Sequence, residues 1–166
     1  EDTSDNFSVE LGQDDRGLQA KPDGTRVWIS NYSSDTIKQF TLSTPWSPST
    51  QTYNGYYRFN NGGKWNSNSG SDGVPSTTNF NPMDFQFNSD GTKLITLFWD
   101  NVPYHSVAEF ALSTGWDMST MSYTSYANLD NSVDPEAMAI SPDGLKLMVH
   151  GYDCLLYTSP SPRDAS

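Results

Sequence analysis

Lys21-Pro22-Asp23-Gly24-Thr25-Arg26-Val27-Trp28-Ile29 is the stretch that decides the fold, because its pattern returns twice. The second copy is Asn88-Ser89-Asp90-Gly91-Thr92-Lys93-Leu94-Ile95-Thr96, and the third is Ser141-Pro142-Asp143-Gly144-Leu145-Lys146-Leu147-Met148-Val149. Each copy has a turn ending in Asp-Gly, then a basic residue, then an apolar run, which reads as a β-hairpin corner entering its second strand. Pro22 and Pro142 preset φ near −65° at the first turn position, and the glycine supplies a positive φ at the last. Asp23, Gly24, Asp90, Gly91, Asp143 and Gly144 are therefore read as turn residues.

Working outward, Leu18 and Ala20 stand at the same distances before their Asp-Gly as Phe85 and Phe87, and as Met138 and Ile140, so each unit opens with a short strand. Val27 and Ile29, Leu94 and Thr96, and Leu147 and Val149 mark the second strands. After a loop, Thr36-Ile37-Lys38-Gln39-Phe40-Thr41-Leu42 matches Ser106-Val107-Ala108-Glu109-Phe110-Ala111-Leu112 as a third strand. A second signature follows, Leu42-Ser43-Thr44-Pro45-Trp46 against Leu112-Ser113-Thr114-Gly115-Trp116, a long turn with a Trp at a fixed place. Trp46 and Trp116 read either as plugs between the turn and a neighbouring sheet or as stacking platforms for sugars. Fourth strands are expected over 52–59 and 121–129. Between them, 60–79 is rich in Asn, Gly and Ser, with only Trp65 and Val74 to anchor it, and reads as an insertion in a surface loop.

Four strands per unit with turns between them is the plan of a β-propeller blade. Asp23 and Asp90 are 67 residues apart and Asp90 and Asp143 are 53 apart, a difference the insertion accounts for. The expected organisation is the last strand of a preceding blade over 1–13, a blade over 14–59, the insertion over 60–79, a blade over 80–129 and the first half of another over 130–153. The fold class is thus all-β, an open partial β-propeller of about two and a half four-stranded antiparallel blades. The 166-residue chain carries a net charge of −11, which disfavours nucleic acid or an anionic membrane as partner. No apolar run approaches the roughly 20 residues that cross a bilayer. One cysteine, Cys154, excludes an intrachain disulfide.

Pro22-Asp23-Gly24-Thr25-Arg26-Val27-Trp28-Ile29-Ser30-Asn31, followed by Ser34-Asp35-Thr36-Ile37, resembles the YVTN-type propeller repeat of bacterial, archaeal and phage-associated surface and secreted proteins. Trp28-Ile29-Ser30-Asn31 stands where the naming tetrapeptide falls, similar in character and not in identity. The resemblance covers about residues 7–153 and implies a WD40-like ring completed by further blades of the same polypeptide, in an extracellular, cell-surface or virion setting. The end of the chain, from Cys154 to Asp164, resembles the in-frame translation of an adaptor used in transposon-based sequencing libraries. Residues 154–166 are accordingly expected to take no part in the fold.

In a propeller the loops after the second and fourth strands share one face and surround the channel mouth. That face collects Asp84, Asp100, Asp134 and Glu136 together with Trp99 and Tyr152, the candidate ligand-binding residues; Asp14, Asp15, Asp35, Asp153, Tyr32, Tyr104 and His105 fall on the same side. Carboxylates beside aromatic rings suit a polyol or a hard cation such as calcium. Asp and Asn in loops also serve as ordinary turn acceptors. No nucleophile elbow, HExxH, phosphate loop or dinucleotide fingerprint is present, so no catalytic residue is assigned. The expected function is a non-enzymatic module that binds protein or glycan. Two alternatives stand beside it: a fragment of a lactonase-like or metal-dependent hydrolase, and a structural repeat of a surface layer or virion.

Overall fold

A computed structural model describes residues 13–60, 62–67, 74, 80–99, 105–129, 134–141 and 146–152, and the backbone of 156–160. The first sheet runs β1 (Asp15–Ala20), β2 (Arg26–Asn31), β3 (Thr36–Leu42), β4 (Gln51–Arg58) and β5 (Lys64–Trp65), in that spatial order. A second comprises β6 (Asn81–Phe87), β7 (Lys93–Trp99), β8 (Ser106–Leu112) and β9 (Met121–Asn128), and a third β10 (Pro135–Ile140), β11 (Lys146–Gly151) and β12 (Leu156–Pro160). All pairings are antiparallel between chain neighbours. The first strands of successive sheets are neighbours, β1 beside β6 and β6 beside β10, as radial blades require. The all-β partial propeller expected from the repeat is the observed fold.

The two repeated signatures prove to be one device. Gly24 and Gly91 adopt φ of 72° and 73°, and Asp23 and Asp90 accept the amide hydrogens of Thr25 and Thr92 at 3.0 and 2.9 Å. The amides of Trp46 and Trp116 donate to the carbonyls of Gly24 and Gly91, both at 3.0 Å, so each indole is laid on its hairpin glycine. A Cβ on Gly24 or Gly91 would stand 2.4 or 2.3 Å from indole atoms, which leaves only glycine room there. This gives both Trp residues a structural place, although Trp46 remains 63% exposed. Asp143 and Gly144 lie outside the described residues.

Alternation along each strand sends side chains to both faces, and both faces of the second sheet meet a neighbouring sheet. Between the first two sheets lies a cluster that includes Trp28, Tyr57, Phe59, Phe85, Phe87 and Phe110; between the second and third, Ile95, Leu97, Leu147 and Val149 pack together. Side-chain acceptors bond across these joints. The Gln39 carboxamide oxygen accepts from Trp28 Nε1 and from the Met118 amide, both at 3.0 Å, and that of Gln86 accepts from the Ile140 amide at 3.0 Å. Each amide so bonded avoids the roughly 1–3 kcal/mol cost of a buried unpaired polar group.

Two expected boundaries change. The stretch expected as a loop insertion supplies β5, and its Val74 is buried in the aromatic cluster. Asn66, at φ 49°, holds that short strand by donating its amide to the Tyr56 carbonyl at 2.8 Å and accepting the Tyr56 amide on its side chain at 2.9 Å. The final segment, expected to stay outside the fold, pairs as β12 with β11, from Lys146 opposite Pro160 to His150 opposite Leu156. An open strand edge templates any extended neighbour through its unpaired backbone groups, and β11 offers one. The strand expected over residues 7–11 lies outside the described residues.

Candidate channel-mouth site

Each first strand carries a β-bulge at the same point of the repeat. Pairing skips between Asp15 and Leu18 in β1, between Pro82 and Asp84 in β6, and between Pro135 and Ala137 in β10. Such bulges bend a strand and re-aim a side chain. The residues at the skip, Arg16, Met83 and Glu136, occupy equivalent repeat positions, and all three line one cavity of about 340 Å³. The rest of its wall repeats too. Tyr32, Trp99 and Tyr152 are equivalent positions at the ends of the three second strands, and Asp134 completes the lining.

The rings continue across sheets. The Arg16 guanidinium lies 5.7 Å from the Tyr32 ring centre, Tyr32 is 5.6 Å from Trp99, and Trp99 stacks on His105 at 5.8 Å and 18°. The Asp134 Oδ1 anchors this row, accepting from Trp99 Nε1 at 3.3 Å and lying 3.3 Å from His105 Nε2. The Asp134 carbonyl accepts the Tyr152 amide at 2.9 Å, as the Asp14 carbonyl accepts the Tyr32 amide at 3.0 Å in the first sheet. Tyr152 is 76% exposed, which leaves its ring open to a ligand.

Of the candidates read from sequence, Trp99, Asp134, Glu136 and Tyr152 come together here. Asp84 does not line the cavity. Its carboxylate accepts the Phe85 amide at 2.8 Å and the Met138 amide at 2.9 Å, which ties β6 to β10, and burial raises its pKa against the lowering effect of those bonds. Asp100, Tyr104 and Asp153 lie outside the described residues. Asp15 bonds Asn31 Nδ2 at 2.8 Å, and Asp14 accepts from the Ser33 hydroxyl, so both serve local structure. Asp35, at φ 58°, accepts from the Asn60 side chain; burial pushes its carboxyl up to about 6, against the attraction of Arg58 and that hydrogen bond. Among the described residues no three His, Cys, Asp or Glu side chains group closely enough to hold a metal ion, so the cation expected at the mouth has no ligand set there.

Arg16 and Met83 escaped the sequence reading. Their signal was the repeat interval itself: 67 and 53 residues carry Arg16 to Met83 to Glu136 just as they carry Tyr32 to Trp99 to Tyr152.

This geometry, radial antiparallel blades around a mouth lined by equivalent positions, is that of a propeller segment. Solved structures share it. The Pseudomonas aeruginosa periplasmic gluconolactonase matches over 92% of this chain and 37% of its own, at 13% identity and a TM-score of 0.60. A Bacteroides fragilis protein provisionally named a 6-phosphogluconolactonase matches over 93% of this chain and 41% of its own, at 17% identity and a TM-score of 0.60. A structure of the mitotic checkpoint complex matches over 87% of this chain and 36% of its own, at 9% identity and a TM-score of 0.52. The chain thus spans about two fifths of the length of these structures, and identities this low carry the fold alone. No family model matches the sequence, and no curated protein sequence matches it. Among the described residues no helix is long and apolar enough to cross a membrane.

Proposed function

We propose that the channel mouth binds a hydroxyl-rich sugar ring and that the chain is a segment of a YVTN-type propeller that presents this site. One observation carries the reading: three equivalent aromatic positions and two carboxylates line a single cavity of about 340 Å³. That volume lies near the lower end of the roughly 300–1,000 Å³ range of small-molecule pockets. Carboxylates accept sugar hydroxyl hydrogens, and exposed aromatic faces take the apolar side of the ring. Calorimetric titration with a panel of neutral mono- and disaccharides tests this, beside a Trp99→Ala variant whose circular dichroism matches the parent. The expected result is saturable binding weakened at least tenfold in the variant; no heat from any sugar at millimolar concentration would refute the proposal.

The names of two structural neighbours favour a second reading of the same site, a sugar-lactone hydrolase, over a purely non-enzymatic module. In that reading Glu136 and the His105–Asp134 pair are the groups able to move protons at the mouth. Acid release from glucono-δ-lactone above the spontaneous rate, lost in Glu136→Gln while sugar binding persists, would select it.

A further inference from the structure

We infer, building on the sugar-binding reading above, that the mouth selects sugars that carry a carboxylate, the uronic acids, and that Arg16 makes this choice. The three bulges are linked to one another by hydrogen bonds across the sheet joints. The Gly17 amide donates to Ser30 Oγ at 2.7 Å, and that buried hydroxyl donates to the Met83 carbonyl at 3.4 Å, which ties the first bulge to the second. The Asp84 carboxylate accepts the Met138 amide at 2.9 Å, which ties the second to the third. The backbones under Arg16, Met83 and Glu136 are thus held in sheet order, and a ligand meets a wall already built.

Charge changes sign along that order. Arg16 supplies the positive charge of the wall, with its guanidinium 5.7 Å from the centre of the Tyr32 ring, and the Tyr32 amide is itself bound to the Asp14 carbonyl at 3.0 Å. The carboxylates next to Arg16 in the chain are engaged elsewhere. Asp14 accepts from the Ser33 hydroxyl, and Asp15 takes Asn31 Nδ2 at 2.8 Å and Lys38 Nζ at 3.9 Å. The planar fork of an arginine matches a carboxylate in geometry as well as charge.

The other end of the wall is acidic. Asp134 Oδ1 accepts from Trp99 Nε1 and faces His105 Nε2, both at 3.3 Å, which offsets part of its charge, and Glu136 stands beside it as an acceptor for hydroxyl hydrogens. Met83 and the rings of Tyr32 and Trp99 form the apolar stretch between. A hexuronate has the same order of groups: a carboxylate at one end of the ring, hydroxyls around the rest, and a face of C–H bonds. With its carboxylate on Arg16 it turns hydroxyls to Glu136, whereas the reversed pose sets like charges together. A phosphate ester would bring up to two negative charges toward the same two carboxylates, so the singly charged acid is the better fit.

Calorimetric titration of the intact chain with glucuronate, galacturonate and mannuronate, each beside its own methyl ester, tests the inference. At least one acid is expected to bind about fivefold or more tighter than its ester, which differs in charge at the same position. That ratio should shrink between about 20 and about 500 mM NaCl, a comparison that needs no variant. In Arg16→Gln the ratio should fall to about one, and Arg16→Lys, which keeps the charge without the fork, should retain part of it. Far-ultraviolet circular dichroism matching the parent establishes that both variants fold. Equal affinity for acid and ester, or a preference that survives Arg16→Gln, would overturn the inference and leave the sugar reading standing. Tighter binding of glucose 6-phosphate than of every hexuronate would overturn it as well, and failure of all sugars, charged and neutral, would overturn both.

Discussion

Gly91→Ala should be far more damaging than Gly24→Ala, although the two glycines hold the same turn position at the same φ. Both substitutions place an L side chain in the left-handed region, which costs roughly 1–2 kcal/mol. They differ in what the new Cβ meets. At Gly91 it would lie 2.3 Å from the partly buried Trp116 ring, which packs against Trp28 at 5.8 Å and Phe87 at 5.2 Å. Forcing a methyl into such packing costs roughly a further 1–3 kcal/mol. At Gly24 the clash is with Trp46, whose exposed ring can swing away into solvent. Gly91→Ala should thus lose about 2–5 kcal/mol and Gly24→Ala about 1–2 kcal/mol. Urea unfolding at constant slope reads the difference as a larger fall in midpoint for Gly91→Ala. Gly91→Asn, which tolerates a positive φ but keeps the Cβ, should recover only the backbone part of the loss. Equal losses at Gly24 and Gly91 would show that the indole contact adds nothing and that the argument from packing is wrong.

Two further outcomes follow from the structure. The Asp35 carboxyl, raised to about 6 against roughly 4 in an unfolded chain, binds more protons in the native state between those values, so its contribution makes stability rise as pH falls from 7 to 4. Asp35→Asn, which suits the positive φ, should flatten that part of the pH profile of urea midpoints, and an unchanged slope would remove Asp35 as its cause. Deleting residues 154–166 removes the ladder from β11 and should lower the melting temperature by several degrees, whereas an unchanged melt would mean that the adaptor-like segment adds no stability despite its pairing.

The fold was legible because propeller blades repeat their turn chemistry. Asp-Gly marked each first hairpin, and the Trp turn marked the next, since only glycine leaves room for the indole laid on it. The limits of β2, β3 and β4 followed from apolar alternation to within a residue or two. What composition hid was pairing that depends on a neighbour. The Asn- and Gly-rich stretch looked like loop, yet two of its residues pair with Tyr57 and Arg58 at the end of β4. Asp84 looked like a mouth carboxylate because it stands at the start of a first strand, in the stretch that corresponds to Asp134 and Glu136, but the skip in pairing turns Met83 toward the cavity and Asp84 toward β10. A bulge has no compositional signature of its own, so sequence placed Asp84 on the correct strand and sent it the wrong way.

That one-residue skip also explains why the blades can agree in fold while differing at the mouth. Strand pairing constrains a residue through its backbone bonds and through the sheet its side chain packs against. A bulged residue is released from the regular ladder, and at this point of the blade its side chain faces the channel mouth. The equivalent positions hold Arg16, Met83 and Glu136, a cation, an apolar group and an anion, whereas the positions two residues further along hold Leu18, Phe85 and Met138, all apolar. Under the proposed sugar-binding reading, recognition rests on positions whose identity the fold leaves open, and exchanging Arg16 or Glu136 should change what the mouth binds with little effect on the stability of the individual sheets.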